Sequence, residues 1–201
     1  NRTATKALSS LVSDSGYAAY HFSGRNGENI AKTIKKNVLA GNPPLDTIDD
    51  ACSYADMAYH EYDDYIEGNL YFRELYQAYP DSYFILNTRT EANWLRSRIN
   101  HKDGDYLKRC REILGAGAAI ENNEVHMHWM NYRRIHHSAA ISYLTSKTDR
   151  FMIFDTEYDN ISKLVEKINI QSLKCQFNEK SEFKIAKYKI DLNSRELIGK
   201  N

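Results

Sequence analysis

Residues 79–97 read YPDSYFILNTRTEANWLRS, and this stretch carries most of the information about the fold. Pro80 ends any helix that precedes it, because proline lacks the backbone N–H that a helix needs. The residues from Tyr83 to Thr88 have the aromatic and β-branched composition of a buried strand. Thr90 is placed to cap a following helix, whose apolar stripe includes Trp94. The stretch therefore predicts a strand followed directly by a helix.

Arg89 stands where the predicted strand ends, and Ser97 lies eight residues later in the predicted helix. Parallel α/β sheets bind their ligands at the carboxyl ends of strands, and a guanidinium and a hydroxyl both bind phosphate well. We therefore interpret Arg89 and Ser97 as a candidate phosphate clamp. The spacing alone also fits a simpler arrangement, in which Arg89 pairs with a surface carboxylate and Ser97 is an ordinary helix residue.

The first residues of the chain form a second candidate anion site. Residues 1–6 read NRTATK, and apolar residues then recur at helical spacing. A helix N-terminus presents unpaired N–H groups and the positive end of a dipole, which suit a phosphate or sulfate. Thr3 and Thr5 add hydroxyls, and Arg2 and Lys6 add cations. An ordinary capped helix would produce the same pattern.

Taken together, the two sites resemble the signatures of sulfotransferases that use 3′-phosphoadenosine 5′-phosphosulfate (PAPS). In that family a strand, an Arg at its end and a Ser eight residues further on hold the 3′-phosphate, and Arg89 and Ser97 have this separation. The family's first signature, (K/R)-(S/T)-G-T-x-(S/A/W)-L, is similar to RTATKAL at residues 2–8, except that Ala4 replaces the usual glycine. The YPDSYFIL of residues 79–86 is similar to the family's YP-x-A-K-x-I-L lead-in.

The resemblance extends from Arg2 to about Ile170. It implies an α/β fold of the P-loop nucleotide-binding type, with three layers and a mostly parallel central sheet covered by helices on both faces. The alternation of predicted helices and strands favours the same class. We expect one sulfotransferase-like domain over residues 1–201, with an unplaced tail at residues 171–201. Because the sequence opens directly on the phosphate loop, we expect the first strand of the fold to precede residue 1.

The resemblance also implies a function, which is transfer of the sulfuryl group from PAPS to an acceptor hydroxyl without a metal ion. The opening turn would hold the 5′ end of this cofactor, and Arg89 and Ser97 would hold its 3′-phosphate. Arg2 would neutralise charge on the leaving phosphate and is therefore also a catalytic candidate. The implied acceptor is a small molecule or a carbohydrate. The opening-turn residues implied to bind the cofactor are Arg2, Thr3, Ala4, Thr5, Lys6 and Ala7.

Two histidines are candidates for the base that deprotonates the acceptor. His60 ends a predicted strand at residues 55–60 and is followed by acidic residues, so a carboxylate could orient its imidazole. A surface histidine in an acidic loop would look the same. His21 lies near the end of another predicted strand, at residues 17–22. In the family the base follows either of these strands, so we expect His60 to be the base and keep His21 as its rival.

Two other functions remain open. In a P-loop kinase or nucleotide hydrolase, Lys6 would be the loop lysine, but that motif needs glycine before the lysine and a hydroxyl residue after it. Thr5 and Ala7 occupy those positions. A catalytically degenerate P-loop binding module is the other alternative, since Ala4 replaces a glycine and the family's late Arg-Lys-Gly loop is not visible in the tail.

Composition limits the partners. The chain has 27 basic and 27 acidic residues, which argues against a protein whose main role is binding the nucleic-acid backbone. No apolar run is long enough for a membrane span. Three widely separated cysteines are too few for a disulfide framework and lack zinc spacing, so we expect a reducing, cytoplasmic location. The four histidines between residues 126 and 137 have spacings that do not favour a metal site. The sequence does not indicate the oligomeric state.

Overall fold

The computed structural model describes residues 3–61, 64–115 and 119–168, together with the backbone of two short strands further along the chain. Helices and strands alternate through this part, so the predicted α/β class is confirmed. Two single 3-10 turns, Gly68–Tyr71 and His101–Gly104, connect larger elements. The helices are α1 (Thr5–Asp14), α2 (Ile30–Leu39), α3 (Phe72–Ala78), α4 (Glu91–Ile99), α5 (Asp105–Gly115), α6 (Asn122–Thr145) and α7 (Ile161–Ile168). The strands are β1 (Ala19–His21), β2 (Ser53–Ala55), β3 (Ala58–Glu61), β4 (Asp64–Glu67), β5 (Phe84–Thr88), β6 (Phe151–Asp155), β7 (Tyr188–Ile190) and β8 (Leu197–Gly199).

The strands pair two by two. β1 pairs with β2 and β5 pairs with β6, both in parallel. β3 with β4 and β7 with β8 form antiparallel pairs. The predicted parallel pairing is therefore present in the pair that carries His21 and in the pair that precedes Arg89, whereas His60 lies in an antiparallel pair. The described strands form four two-stranded sheets and not one continuous sheet, so the three-layer central sheet remains a prediction.

The two parallel pairs nevertheless share the same two faces. Ala19 of β1 and Ile85 of β5 pack against one core, which α1, β6 and α7 build. Their chain neighbours Tyr20 and Phe84 pack against a second core, which includes buried residues of α2 and α3. Successive side chains of a strand point to opposite faces. Residues of both pairs therefore pack against helices on each of their two faces.

A third core holds the second half of the chain together. It is formed by α4, α5 and α6 around Trp94, Cys110, Val125 and Trp129, all of which are almost completely buried. Two fully buried tryptophans and their neighbours supply several kcal/mol of hydrophobic stabilisation, at roughly 25 cal/mol per Å² of buried apolar area. This core fixes α4, and with it the turn that follows β5.

The predicted strand at residues 55–60 is not one strand. β2 ends at Ala55, and a separate antiparallel hairpin begins at Ala58. The break lies at Asp56, whose φ of 55° is in the left-handed region. That conformation turns the chain out of the parallel pair, so His60 lies in the hairpin and not at the carboxyl end of a parallel strand.

The cysteines differ from the expectation of a fully reduced chain. Cys52 is disulfide-bonded, whereas Cys110 is a buried free thiol. The predicted cytoplasmic location was based on cysteines that are all reduced, and disulfides persist mainly in oxidising compartments. That basis does not hold, and the location itself stays a prediction. Among the described residues, no helix combines the length and the apolar character that crossing a membrane requires.

Candidate functional site

A cluster of three side chains lies at the carboxyl ends of β1 and β2. The hydroxyl oxygen of Thr5, in the first turn of α1, is 3.1 Å from Nε2 of His21, the last residue of β1. The same nitrogen is 3.7 Å from a carboxylate oxygen of Asp56, which follows β2 directly. Two of these residues were predicted as site residues, one as a phosphate ligand and one as a rival base. The structure brings them into contact.

The environment of His21 keeps its imidazole neutral near pH 7. Burial lowers its pKa, nearby Asp56 acts to raise it, and the charge of Lys6 acts to lower it further. The net pKa is below the usual 6.5. The side chain still has 28% of its surface exposed to solvent. A neutral, reachable imidazole is a proton acceptor, as a general base must be.

Unusual backbone conformations surround this cluster. Ala4, Phe22 and Asp56 have φ values of 55°, 69° and 55°, and each adjoins or belongs to one of the three clustered residues. Residues other than glycine rarely adopt this left-handed backbone conformation. Such backbone strain tends to concentrate at functional sites. Ala4 occupies the glycine position of the resemblance. The chain therefore keeps a glycine-like backbone there with an alanine side chain.

The residue that precedes α1 does not cap the helix with its side chain. Ala4 is the residue that precedes the helix, and it makes no side-chain capping hydrogen bond. The first N–H groups of a helix have no partner within it. Thr3, Ala4 and Ala7 are buried, while Lys6 is exposed. Arg2, which was predicted to bind the cofactor and to act in catalysis, lies outside the described residues.

Arg89 is also at a strand end, but it already has an anionic partner. Its Nε and Nη2 donate to one oxygen of Glu157 at 3.1 and 2.7 Å. The backbone N–H of Thr90 donates to the other oxygen at 2.9 Å, and the amide of Asn93 donates to the first at 2.8 Å. Burial acts to raise the pKa of Glu157, but hydrogen bonds from Thr90, Arg89 and Asn93 outweigh it and lower that pKa to about 2.

Ser97 lies on the same face of α4 as Asn93. Thr90, Asn93 and Ser97 are spaced by three and four residues, which places them along one helix face. Ser97 is half-buried. The two predicted clamp residues thus lie at the end of β5 and along α4, and the anion that contacts Arg89 is the carboxylate of Glu157. Sequence reasoning missed Glu157 because it lies 68 residues beyond Arg89 and no local pattern links the two.

Arg133 of α6 braces the end of β5. Its Nη2 donates to the carbonyl oxygen of Arg89 at 2.6 Å and to the hydroxyl of Thr88 at 2.9 Å. Its Nε is buried without a hydrogen-bond partner, and so is Oδ1 of Asn87 on β5. Buried polar atoms are rarely left unpaired. This end of β5 therefore has unmet hydrogen-bonding capacity that the sequence did not reveal.

His60 has a different environment from His21. Its Nδ1 is 2.5 Å from the hydroxyl of Tyr106, and its Nε2 is 3.0 Å from Glu67. Nη2 of Arg98 lies 3.2 Å from the same Glu67 oxygen. The side chains of His60 and Glu67 are 3% exposed, and that of Arg98 is 1% exposed. Tyr65 stacks on the His60 ring at 4.0 Å. Both ring nitrogens of His60 face protein groups.

The histidines of α6 also contact protein groups. His136 lies 3.3 Å from the amide of Asn69 and stacks on Tyr132, while His128 packs edge-on against Tyr65. Across the part of the chain that the structure describes, no three or more His, Cys, Asp or Glu side chains are grouped so that they could hold a metal ion.

Comparison with known proteins identifies one family. The model of a family described as "Sulfotransferase domain" matches residues 1–177, which is most of the chain. Comparison with curated proteins and with solved structures gave no match. The matched range includes both candidate anion sites and the hairpin that carries His60.

Proposed function

Because this chain belongs to the sulfotransferase-domain family, we propose that it transfers the sulfuryl group of PAPS to an acceptor hydroxyl. The family match supports sulfuryl transfer in general. The observation that carries the finer proposal is the contact between Thr5 and His21, since it joins the proposed phosphate-binding turn to a proton acceptor. We further propose that the two parallel strand pairs belong to one three-layer sheet, because they share both helical faces.

The donor would span the two candidate anion sites. The 5′-phosphosulfate would bind at the first turn of α1, where Arg2 and Lys6 would offer positive charge and where Thr5 and the helix N-terminus would offer hydrogen-bond donors. The 3′-phosphate would bind beside Arg89 and Ser97, and this contact would distinguish PAPS from ATP. Sulfuryl transfer, like phosphoryl transfer, depends mainly on in-line positioning and on neutralising the leaving group.

His21 is the base that the geometry favours. Its Nε2 would exchange its contact with the hydroxyl of Thr5 for the acceptor hydroxyl, and would take the proton of that hydroxyl as its oxygen attacks sulfur. The bond between sulfur and the bridging oxygen would break, and 3′-phosphoadenosine 5′-phosphate would leave with the electron pair. His60, which the sequence favoured, would first have to leave its contacts with Tyr106 and Glu67. It remains an untested candidate, with less access to a substrate than His21.

Phe22 supports a ring-bearing acceptor. It follows His21 directly and leaves 40% of its surface exposed. An exposed aromatic ring next to the base could stack on the face of a sugar or a phenol. The proposed acceptor is accordingly a small molecule or a carbohydrate with a free hydroxyl.

Binding of 3′-phosphoadenosine 5′-phosphate tests the proposal most directly. We expect this nucleotide to raise the melting temperature of the protein, because a ligand that binds only the folded state stabilises it. We expect Arg89→Ala to weaken binding by roughly 10- to 100-fold, since a charge-assisted hydrogen bond contributes about 1.5–3 kcal/mol. The control is Arg134→Ala, which removes an exposed arginine from the neighbouring surface of α6 and should leave binding unchanged.

Three outcomes would contradict the proposal. A larger shift with magnesium ATP than with 3′-phosphoadenosine 5′-phosphate would favour the kinase or hydrolase alternative. Binding without transfer of sulfate from PAPS to any of a panel of phenols and sugars would favour a binding module. Equal binding by wild type and Arg89→Ala would overturn the assignment of the 3′-phosphate clamp.

A further inference from the structure

Several hydrogen-bond donors converge on one carboxylate at the carboxyl end of β5. They are the fork of Arg89, the backbone N–H of Thr90 and the side-chain amide of Asn93, and all lie within 3.1 Å of a Glu157 oxygen. A guanidinium fork, a helix N-terminal N–H and an amide are the donors that typically bind a phosphate. We call this set of donors the β5 cradle.

We propose that Glu157 is an internal competitor for the β5 cradle, and that the 3′-phosphate of the donor nucleotide displaces its carboxylate on binding. This inference rests on the proposed function, because it concerns the same nucleotide. The two carboxylate oxygens accept hydrogen bonds from donors that would otherwise donate to a phosphate. Glu157 therefore sets how tightly the site binds a nucleotide with a 3′-phosphate.

Charge makes simultaneous occupancy unfavourable. Hydrogen bonds from the cradle keep the pKa of Glu157 at about 2, so this side chain is negatively charged at neutral pH. A phosphate that reached the fork of Arg89 would lie within a few ångströms of that carboxylate, where like charges repel strongly in a partly desolvated site. One anion must leave for the other to bind.

The side chain of Glu157 can leave the cradle towards solvent. It lies in the turn after β6, and its side chain is 15% exposed, so one side of it reaches solvent. Tyr158, the next residue in this turn, is 78% exposed. Rotation of the Glu157 side chain about its own bonds would clear the cradle without moving β6.

The neighbouring buried groups show that the carboxylate does not satisfy this end of β5. Nε of Arg133 is unpartnered, and its guanidinium also braces the carbonyl oxygen of Arg89. The other charges that face this guanidinium are Glu91 at 3.9 Å, Asp155 and Arg134. A phosphate in the cradle, with more oxygens and more charge than a carboxylate, would interact more strongly with this second guanidinium.

A buttressing role predicts the opposite result. If Glu157 only holds the fork of Arg89 in position for the phosphate, removing it should weaken nucleotide binding, because the fork would lose its orientation. If Glu157 competes, removing it should strengthen binding. The sign of the change therefore decides between the two roles.

The test is calorimetric titration of wild type, Glu157→Ala and Glu157→Gln with 3′-phosphoadenosine 5′-phosphate and, separately, with adenosine 5′-phosphate. We expect Glu157→Ala to bind the first nucleotide about 10-fold more tightly, because the binding-competent state is no longer a minor one. Glu157→Gln should show a smaller gain, since its amide oxygen can still accept from Arg89. Binding of adenosine 5′-phosphate should not change, because this nucleotide has no 3′-phosphate.

Glu61→Gln is the control. It removes one negative charge from the end of β3, where Glu61 pairs with Arg109 at 3.1 Å, and it leaves the cradle and Arg133 intact. We expect less than about a twofold effect on either nucleotide, because an exposed charge is largely screened. A gain in Glu61→Gln equal to that in Glu157→Ala would show a general charge effect and overturn the proposal.

Two further outcomes would also overturn it and can be told apart. Weaker or unchanged binding of 3′-phosphoadenosine 5′-phosphate in both Glu157 variants, with wild type binding it normally, would reject competition and keep the proposed function. No binding by wild type would reject the donor assignment itself. If Glu157→Ala does not fold, Glu157→Gln gives the same comparison of signs.

Discussion

His21 and His60 both lie near the end of a short strand, and each has a carboxylate nearby, at 3.7 Å for Asp56 and 3.0 Å for Glu67. They differ in what surrounds the pair. His21 is 28% exposed and contacts the hydroxyl of Thr5 in the first turn of α1. His60 is 3% exposed and enclosed by protein groups. A histidine beside a carboxylate thus forms a reachable proton acceptor in one region and part of a buried polar network in the other.

This difference teaches that a histidine beside a carboxylate is not by itself a sign of catalysis. Each charged group in a buried network has lost its contact with water. The network therefore stabilises the fold only while every member keeps its partner, because a buried charge without a partner is costly. A half-exposed pair contributes little to folding but can exchange protons with a substrate. The comparison therefore predicts opposite responses to mutation, in stability for one region and in turnover for the other.

The largest effect should come from Glu67→Gln. This change leaves the fully buried Arg98 without its carboxylate, and breaking a buried ion pair from one side typically costs about 3–5 kcal/mol. The measurement is the free energy of unfolding in urea. Glu61→Gln is the control, because its pair with Arg109 is 39% and 35% exposed and should contribute less than about 1 kcal/mol. Equal losses in both variants would mean that the network is not the stabilising feature.

His21→Ala should change turnover and not folding. Loss of a general base lowers kcat by about 10²- to 10⁴-fold, whereas a half-exposed histidine contributes little to stability. His60→Gln should do the reverse, with reduced stability and near-normal kcat per folded molecule. The measurement is sulfate transfer from PAPS, normalised to the folded fraction. If His60→Gln instead loses kcat by this factor and His21→Ala keeps near-normal kcat, His60 is the base, as the sequence first indicated.

Acid should unfold the protein partly through Glu67. Burial acts to raise the pKa of Glu67, but contacts with His60 and Arg98 outweigh it and hold the folded-state pKa well below 4.5. The unfolded chain therefore binds a proton first as the pH falls, so this contribution is complete above pH 4.5 and is lost below it. We expect the slope of stability against pH below that point to be shallower in Glu67→Gln, by up to about 1.4 kcal/mol per pH unit. An identical slope in wild type and variant would contradict the depressed pKa.

The sequence predicted the regular elements well where composition and motif agreed. The strand and helix around Arg89 were expected at residues 83–88 and after Thr90, and β5 and α4 lie there. The break at Asp56 was missed, because the apolar pattern continues into the hairpin and neither glycine nor proline marks the turn. Aspartate can adopt a left-handed φ without a distinct local signature.

The candidate site was predicted only in its local parts. Thr5 and Arg89 were found from spacing within short motifs. Asp56 and Glu157 were not, because their contacts join residues far apart in the chain. The sequence also favoured His60, since acidic neighbours look alike whether a histidine is exposed or buried. Its burial depends on Arg98 and Tyr106 from later helices, and no local pattern encodes that packing.

The smallest effect should come from Ala4→Gly, which tests whether backbone strain belongs to the His21 region. Ala4 has a left-handed conformation, with φ 55° and ψ 29°, and an L-residue there costs roughly 1–2 kcal/mol relative to a right-handed one. Glycine removes that cost but makes the unfolded chain more flexible, so we expect a net gain of about 0.5–1 kcal/mol in the free energy of unfolding.

Ala7→Gly supplies the control for this change, because it makes the same substitution three residues later, inside α1, where only 1% of Ala7 is exposed. Glycine in a helix interior costs about 1 kcal/mol, and the lost buried methyl adds to that cost. The two variants should therefore shift the urea midpoint in opposite directions. If Ala4→Gly destabilises the protein as much as Ala7→Gly, the turn beside His21 stores no strain, and the left-handed alanine is an ordinary feature of the helix start.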